Sequence, residues 1–371
     1  MADSNVQSAE AGGRLTIDLQ AISDNYTDIA ARTAPAACAA VLKADAYGTG
    51  LEPVAATLWA AGARTFFVAL LCEARRLRNL LPQAEIFVLN GLFAECSEAY
   101  DAYDLRPVLG SLDEIERWRA YCARIDRPLP AALHVDTGMN RLGVSPAEAI
   151  NLAEGRDELG FPLVLVMSHL ACADDPGHPL TARQLEDFRA VAALFPDVRA
   201  SLANSAAALG DNALHFDMVR PGIALYGGRA RRDVAPLRPV VRLDLRIAQI
   251  REVHEGGTIG YGAVQTARRP SRIAILAAGY ADGIPRLAGS SDARRGAEVA
   301  IAGRRCPLVG RISMDLMTVD ITDLPDDAVR PGDWATLIGE GIGVDNLAAH
   351  AQTIGYEVLT SLGPRFHRRW K

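Results

Sequence analysis

Lys43 stands at the exit of an apolar run, Cys38-Ala39-Ala40-Val41-Leu42, and is followed by Ala44-Asp45-Ala46-Tyr47-Gly48-Thr49-Gly50. The run reads as a buried strand, and lysine is among the residues least often buried. An amine partly stripped of water at a strand end is a nucleophile able to condense with an aldehyde. Tyr47 adds a hydroxyl, and Gly48 and Gly50 let backbone approach a ligand closely. A lone lysine past a strand end is otherwise a solvated side chain, so other residues must support the chemical reading.

Polar residues recur at the ends of later apolar runs: Asp136 and Arg141, then His169, then Asn204 and Ser205, then Arg220, Gly222 and Tyr226. Singly, each has an ordinary explanation. Asp136-Thr137-Gly138 is a turn, His169 a satisfied core histidine, Ser205 a helix cap. At consecutive strand exits they would converge on one mouth. Hydroxyls, backbone N–H groups and glycine at Asn204-Ser205 and Gly222-Ile223 suit a phosphate, and Arg141 can offer a carboxylate a guanidinium fork.

The elements that must position these groups alternate. Strands are expected over 39–43, 65–71, 85–90, 106–109, 131–136, 163–169, 200–203 and 218–225, with helices over 52–61, 72–80, 146–153 and 181–194. Another helix opens at Ser111-Leu112-Asp113-Glu114, a cap with an acid three residues on. Helical crossovers imply parallel neighbours. Eight such units predict an α/β fold, a (β/α)8 TIM-type barrel, with an open doubly wound sheet as the alternative. After Pro236-Leu237-Arg238-Pro239 helices nearly vanish, and strands are expected at 240–253, 272–278, 298–301, 313–321, 333–338 and 356–362, with one clear helix at 345–352. The expected organisation is a polar tail over 1–13, a barrel over 14–238 and a β-rich domain over 239–371.

Of 371 residues, 49% are hydrophobic and 23% charged, with a net charge of −6, an ordinary globular balance that offers nothing to nucleic acid or an anionic membrane. The basic cluster from Arg365 to Lys371 reads as a solvated tail. No apolar run is long enough to span a bilayer. Six cysteines show no C-x-x-C, and residues 1–13 lack the basic and apolar regions of a secretory leader, so a cytoplasmic protein with free thiols is expected. Seven histidines include no H-x-H or H-E-x-x-H spacing, which argues against a metal hydrolase.

Over nearly its whole length the chain resembles the alanine racemase family. The matching segments are Lys43-Ala-Asp-Ala-Tyr-Gly48, His134-Val-Asp-Thr-Gly-Met-Asn-Arg141, Ser168-His169, Asn204-Ser205, Arg220-Pro-Gly-Ile223, Gly260-Tyr261-Gly262, Gly279-Tyr-Ala-Asp-Gly283, Gly310-Arg-Ile-Ser-Met-Asp315 and Tyr356-Glu357. The resemblance implies pyridoxal 5'-phosphate as cofactor, Lys43 as its Schiff-base lysine and the base for the D-enantiomer, and Tyr261 of a second subunit as the base for the L-enantiomer. Tyr47, Ser205, Gly222, Ile223 and Tyr356, together with Asn204, are implied around the phosphate, and Arg220 at the pyridine nitrogen. An unperturbed phenol has a pKa of about 10, so Tyr261 needs a cationic network, for which His169 and Arg220 are implied. Arg141 and the Met314 backbone are implied for the substrate carboxylate, with Met314 and Asp315 from the partner subunit. Tyr280, Asp174, Arg286 and Arg311 match entry-channel positions. A homodimer with shared sites follows from this resemblance, as does an amino-acid substrate.

Three positions depart from the family pattern. Thr49 replaces a frequent histidine, Asn140 a frequent glycine, and His134 a lysine that many members carry carbamylated. A neutral histidine cannot replace the carbamate's charge, so a bound anion such as chloride is expected between His134 and Arg141. The competing readings are a racemase of broader range, such as serine, a basic amino-acid decarboxylase on the same plan, and a non-catalytic cofactor carrier. Arg220 speaks against the decarboxylase, which pairs the ring nitrogen with a carboxylate, and the β-rich domain speaks against the carrier.

Overall fold

The computed structural model describes residues 9–371; residues 1–8 of the expected tail lie outside the described residues. The described residues form two compact units, Ile22–Arg238 and a second that joins residues 9–21 with Pro239–Lys371.

In the first unit, strands Ala40–Val41, Thr65–Val68, Glu85–Val88, Arg106–Leu109, Ala131–His134, Leu163–Met167 and Arg199–Ser201 lie side by side in sequence order, all parallel. An eighth, Met218–Val219, pairs in parallel with Ala37–Cys38, directly upstream of the first strand. Asp217 N donates to Ala200 O at 3.1 Å and Arg220 N to Ala203 O at 2.9 Å, so the eighth strand also meets the seventh and the barrel closes. Strands such as Thr-Phe-Phe-Val are buried on both faces, as expected where helices cover a parallel sheet. The Ser111 hydroxyl caps Leu112–Arg124, and Ser145 with Glu148 forms a capping box on Pro146–Glu154. The last strand is shorter than expected: Pro221 has no N–H to extend the ladder, and Ile223–Tyr226 coils into a 3₁₀ turn.

The second unit is built on the long strand Val241–Val253. One of its neighbours is Gly13–Ile17, paired antiparallel from Gly13 against Leu245 to Ile17 against Val241. Residues 14–21, expected in the barrel, therefore belong to this unit, and Gly13 is strand rather than tail. The basic C-terminus is not a solvated tail either, since His367–Trp370 adds a parallel strand beside Gly13–Ile17. Trp334–Ile338 and Ser271–Leu276 also pair with Val241–Val253, whose register shifts between Ile247 and Gln249. Such a bulge bends a strand so that it can serve different partners along its length. Residues 356–362, expected as a strand, lie largely in the helix Gly355–Ser361, which buries Val358 and Leu359. No helix among the described residues is long and apolar enough to cross a membrane.

Where the barrel strands begin, Glu85 gathers charge. Arg199 donates to both of its oxygens at 3.0 and 2.7 Å, Thr65 donates at 2.8 Å, and Arg106 lies at 3.5 Å. Burial pushes the Glu85 carboxyl up, but the bonds and charge of Arg199, with Thr65 and Arg106, outweigh it and leave the group below its ordinary 4.5. Glu85 therefore contributes stability that is present above pH 4.5 and fades as pH falls through the lower folded value. Arg199→Met is expected to cost about 2 kcal/mol of unfolding free energy at pH 7, with the deficit shrinking in acid. Urea melts at both pH values check this; a deficit that grows in acid would contradict it.

Candidate active site

The chain leaves the first strand at Lys43 and enters a left-handed turn. Ala44, Asp45, Ala46 and Tyr47 have φ of 55°, 55°, 53° and 55°. Each non-glycine residue in this region costs about 1–2 kcal/mol, so the turn must be held. Ala46 N bonds Leu42 O at 2.9 Å, Gly48 N bonds Ala44 O at 2.8 Å and Gly50 N bonds Asp45 O at 2.9 Å. Buried Thr49, where the family often has histidine, donates its hydroxyl to Ala46 O. The turn places Tyr47 against Tyr226 with ring centroids 4.6 Å apart, and the Tyr226 hydroxyl bonds Val41 O at 2.9 Å.

Tyr47 then meets the end of the barrel. A Cβ at Gly222 would lie 2.2 Å from Tyr47 Oη, so a side chain there would force Tyr47 to move. The Ser205 hydroxyl accepts from Gly222 N at 2.7 Å and Ala224 N at 3.3 Å. Asn204 Oδ1 caps the turn that begins at Ser205, accepting from Ala206 N at 3.0 Å and Ala207 N at 3.1 Å. The Tyr47 and Ser205 hydroxyls and the backbone of Gly222 and Ile223 thus converge, a set suited to the oxygens of a phosphate group.

Arg220 is buried. Its guanidinium donates to Ser168 O at 2.7 Å and to the Ser201 hydroxyl, and lies 5.9 Å over the Phe67 ring. None of these partners is a carboxylate. Burial alone pulls its pKa down to about 9, which leaves it charged at neutral pH. Its field reaches the two histidines. Burial, then Arg220 and Arg141, lower His169 to about 3, with Lys43 and His134 adding to the effect. Burial, Arg220 and Arg141 lower His134 to about 4 against the pull of Asp136. Both imidazoles are therefore neutral near pH 7. The Lys43 amine is held below its usual value, first by burial and then by Arg141 and Arg220, with Glu73 opposing.

Arg141 is exposed at the end of a loop pinned by Asp136, whose Oδ1 accepts from Gly138 N at 2.9 Å and Met139 N at 2.8 Å. Asn140, the departure from glycine, has φ of 56°, a conformation that asparagine tolerates better than most residues. Asp174 is exposed on a later loop, where Arg232 N donates to its carbonyl at 3.1 Å.

The remaining expected residues sit in the other unit. Tyr261 is 71% exposed, on a turn flanked by Gly260 and Gly262 at φ of 79° and 75°. A Cβ at Gly262 would lie 2.6 Å from an Arg311 guanidinium nitrogen, so Arg311 rests on that turn. Tyr280 N bonds Ser313 O and Ala281 N bonds Met314 O, both at 3.0 Å, which joins the Tyr280 and Met314 loops. Arg365 clamps them, bonding buried Asp282 at 2.6 and 2.8 Å and Asp315 at 2.8 Å. Arg286 is exposed in the turn Arg286–Ala288, and Tyr356 lies near the start of helix Gly355–Ser361.

The structure thus groups Lys43, Tyr47, His169, Ser205, Arg220 and Gly222 in one barrel mouth and brings Arg311 against the turn of Tyr261. It also adds residues that the sequence does not single out. Ser201, with the already noted Ser168, receives Arg220, and Gln184, fully buried, bonds His169 O at 2.9 Å and Thr137 at 3.3 Å. Glu73 accepts from Ala44 N at 2.6 Å. A polar residue within an apolar helix face was the available signal for Gln184.

Two family models match the chain: that of the alanine racemase N-terminal domain over residues 17–230, and that of the alanine racemase C-terminal domain over residues 240–370. An alanine racemase of Methylobacterium sp. (strain 4-46) is 55% identical over 97% of this chain and 98% of its own length. Alanine racemase from Bartonella henselae, solved with covalently bound pyridoxal phosphate, superposes with a TM-score of 0.91 at 38% identity, covering 97% of this chain and 100% of that one. The biosynthetic alanine racemase of Pseudomonas aeruginosa gives 0.89 at 40%, covering 97% and 99%.

Gly222→Ala is expected to displace Tyr47 and cost about 1–3 kcal/mol of stability. Thermal unfolding and tyrosine fluorescence check it; an unchanged melt and spectrum would contradict the contact.

Proposed function

The chain belongs to the alanine racemase family, and from that premise we propose that it interconverts L- and D-alanine with pyridoxal phosphate held in the barrel mouth. The observation that carries this reading is the charge balance there. Lys43, Arg141 and Arg220 meet at the strand exits, and Arg220 is buried among a hydroxyl, a carbonyl and an aromatic ring. Burying the Arg220 cation with no carboxylate bonded to it is costly, and a phosphate together with a substrate carboxylate would offset that cost. The Tyr47 and Ser205 hydroxyls, both held against the Gly222 backbone, support a group with several acceptor oxygens.

When bound, pyridoxal phosphate supplies an aldehyde for an amino group and a ring that draws electrons from the adjacent α-carbon. The Tyr47 and Ser205 hydroxyls and the backbone of Gly222 and Ile223 would hold the phosphate, with Tyr356 as the family's further ligand. Arg220 would donate a hydrogen bond to the ring nitrogen without giving up a proton, since it stays charged at neutral pH. That keeps the ring's pull weak and favours simple return of a proton over transamination or decarboxylation. Arg141 would orient the substrate carboxylate, assisted by the Met314 backbone.

Inversion needs proton transfer on both faces of the α-carbon. Lys43, whose amine is held below its usual value, takes the proton of D-alanine. Tyr261 takes that of L-alanine from the opposite side and comes from a second copy of the chain. Its exposure on a glycine-flanked turn, in a unit that also exposes Met314 and Tyr280, supports a surface that a partner covers. The working form is therefore a homodimer. Six cysteines, none paired in a disulfide, support a reducing, cytoplasmic setting. His134, held neutral, brings no charge to Arg141, so an anion such as chloride takes that place.

Deuterium wash-in at the α-carbon tests the two-base assignment. In Tyr261→Ala, exchange from L-alanine should fall by roughly 10²–10⁴-fold and exchange from D-alanine far less; equal loss from both enantiomers would remove the assignment. Separately, crystals soaked in bromide should show anomalous density between His134 and Arg141, and none there would remove the anion.

A further inference from the structure

A single helix, Leu71–Leu80, grips the left-handed turn after Lys43. Glu73, only 9% exposed, faces inward at its start. One carboxylate oxygen accepts from Ala69 N at 2.9 Å and Leu70 N at 3.1 Å, the usual work of an acid in a helix's first turn. The other crosses to a different element and accepts from Ala44 N at 2.6 Å, the shortest of the three bonds. One helical turn on, Arg76 bonds Asp45 at 3.0 Å and Glu52 at 2.8 Å. Two successive residues of the left-handed turn are thus pinned from the same helix.

Strained backbone persists only where its surroundings over-determine it, and Ala44 is the residue that directs the chain away from Lys43. We infer that Glu73 is a positioning residue for Lys43: its buried carboxylate fixes the backbone next to the lysine and is the negative charge that answers Arg141 and Arg220 around the amine. The inference rests on the role proposed for Lys43. Other polar groups of the turn and the mouth do not supply that charge. His169 is a neutral imidazole, Tyr47 presents a hydroxyl, and Asp45 is engaged by Arg76 and by Leu51 N at 3.1 Å. A carboxylate near an amine favours the ammonium form. Neutralising Glu73 should therefore let Lys43 lose its proton at lower pH, whereas shortening it should free Ala44 without removing the charge.

The test compares wild-type, Glu73→Gln and Glu73→Asp holoenzymes. One readout is the pH profile of deuterium wash-in from D-alanine, and the other is the rate at which hydroxylamine strips the cofactor, followed by visible absorbance. E73Q should move the acidic limb of the profile down by about half a pH unit or more and lose cofactor several-fold faster. E73D should lose cofactor faster yet keep the wild-type limb. A wild-type limb in E73Q, or an equal limb shift in E73Q and E73D, would overturn the inference. If the wild-type protein itself carries no cofactor and exchanges no α-proton, it is the functional reading that fails.

Discussion

The barrel mouth is organised around positive charge removed from water. Arg220 sits among a serine hydroxyl, a peptide carbonyl and a phenylalanine ring, and its field and that of Arg141 reach Lys43, His134 and His169. An unpaired buried cation costs several kcal/mol, so the surroundings respond in the ways open to them. Both histidines stay neutral, the lysine gives up its proton more readily, and the site favours anionic groups. These properties serve the proposed chemistry: a neutral amine is a base, and a mouth short of negative charge receives a phosphate and a carboxylate.

That charge has to be placed accurately, and local strain does the placing. Four successive residues in left-handed backbone turn the chain after Lys43 so that Tyr47 reaches Gly222 while Lys43 stays at the strand exit. The turn survives because its own backbone bonds, the Asp45 carboxylate and the helix carrying Glu73 and Arg76 all hold it at once. In the other unit the same logic uses glycine and arginine. Gly260 and Gly262 shape the turn of Tyr261, and Arg365 ties the loops of Tyr280 and Met314 through Asp282 and Asp315.

Much of this was legible in the sequence, for physical reasons. Lys43 and Arg220 stand out because charge at the end of an apolar strand is expensive and so demands a purpose. The alternation of strands and helices is local, so the barrel could be read from it. What could not be read depends on distant partners. Gly13–Ile17 carries no local mark of its sheet, and its place beside Val241–Val253 is decided by pairing across more than two hundred residues. Residues 356–362, Tyr-Glu-Val-Leu-Thr-Ser-Leu, mix apolar and polar residues over a stretch too short for its period to separate helix from strand. Glu73 looks like an ordinary helix-start acid, and its bond to Ala44 lies 29 residues away in sequence. Asn140 became intelligible only once its positive φ was known.

The most direct test of the whole account is chemical. Borohydride reduction of the purified holoenzyme, followed by proteolysis and mass spectrometry, should place one phosphopyridoxyl group per chain on the peptide containing Lys43 and abolish the visible band. A label on another lysine, or no label on protein that still racemises alanine, would contradict it.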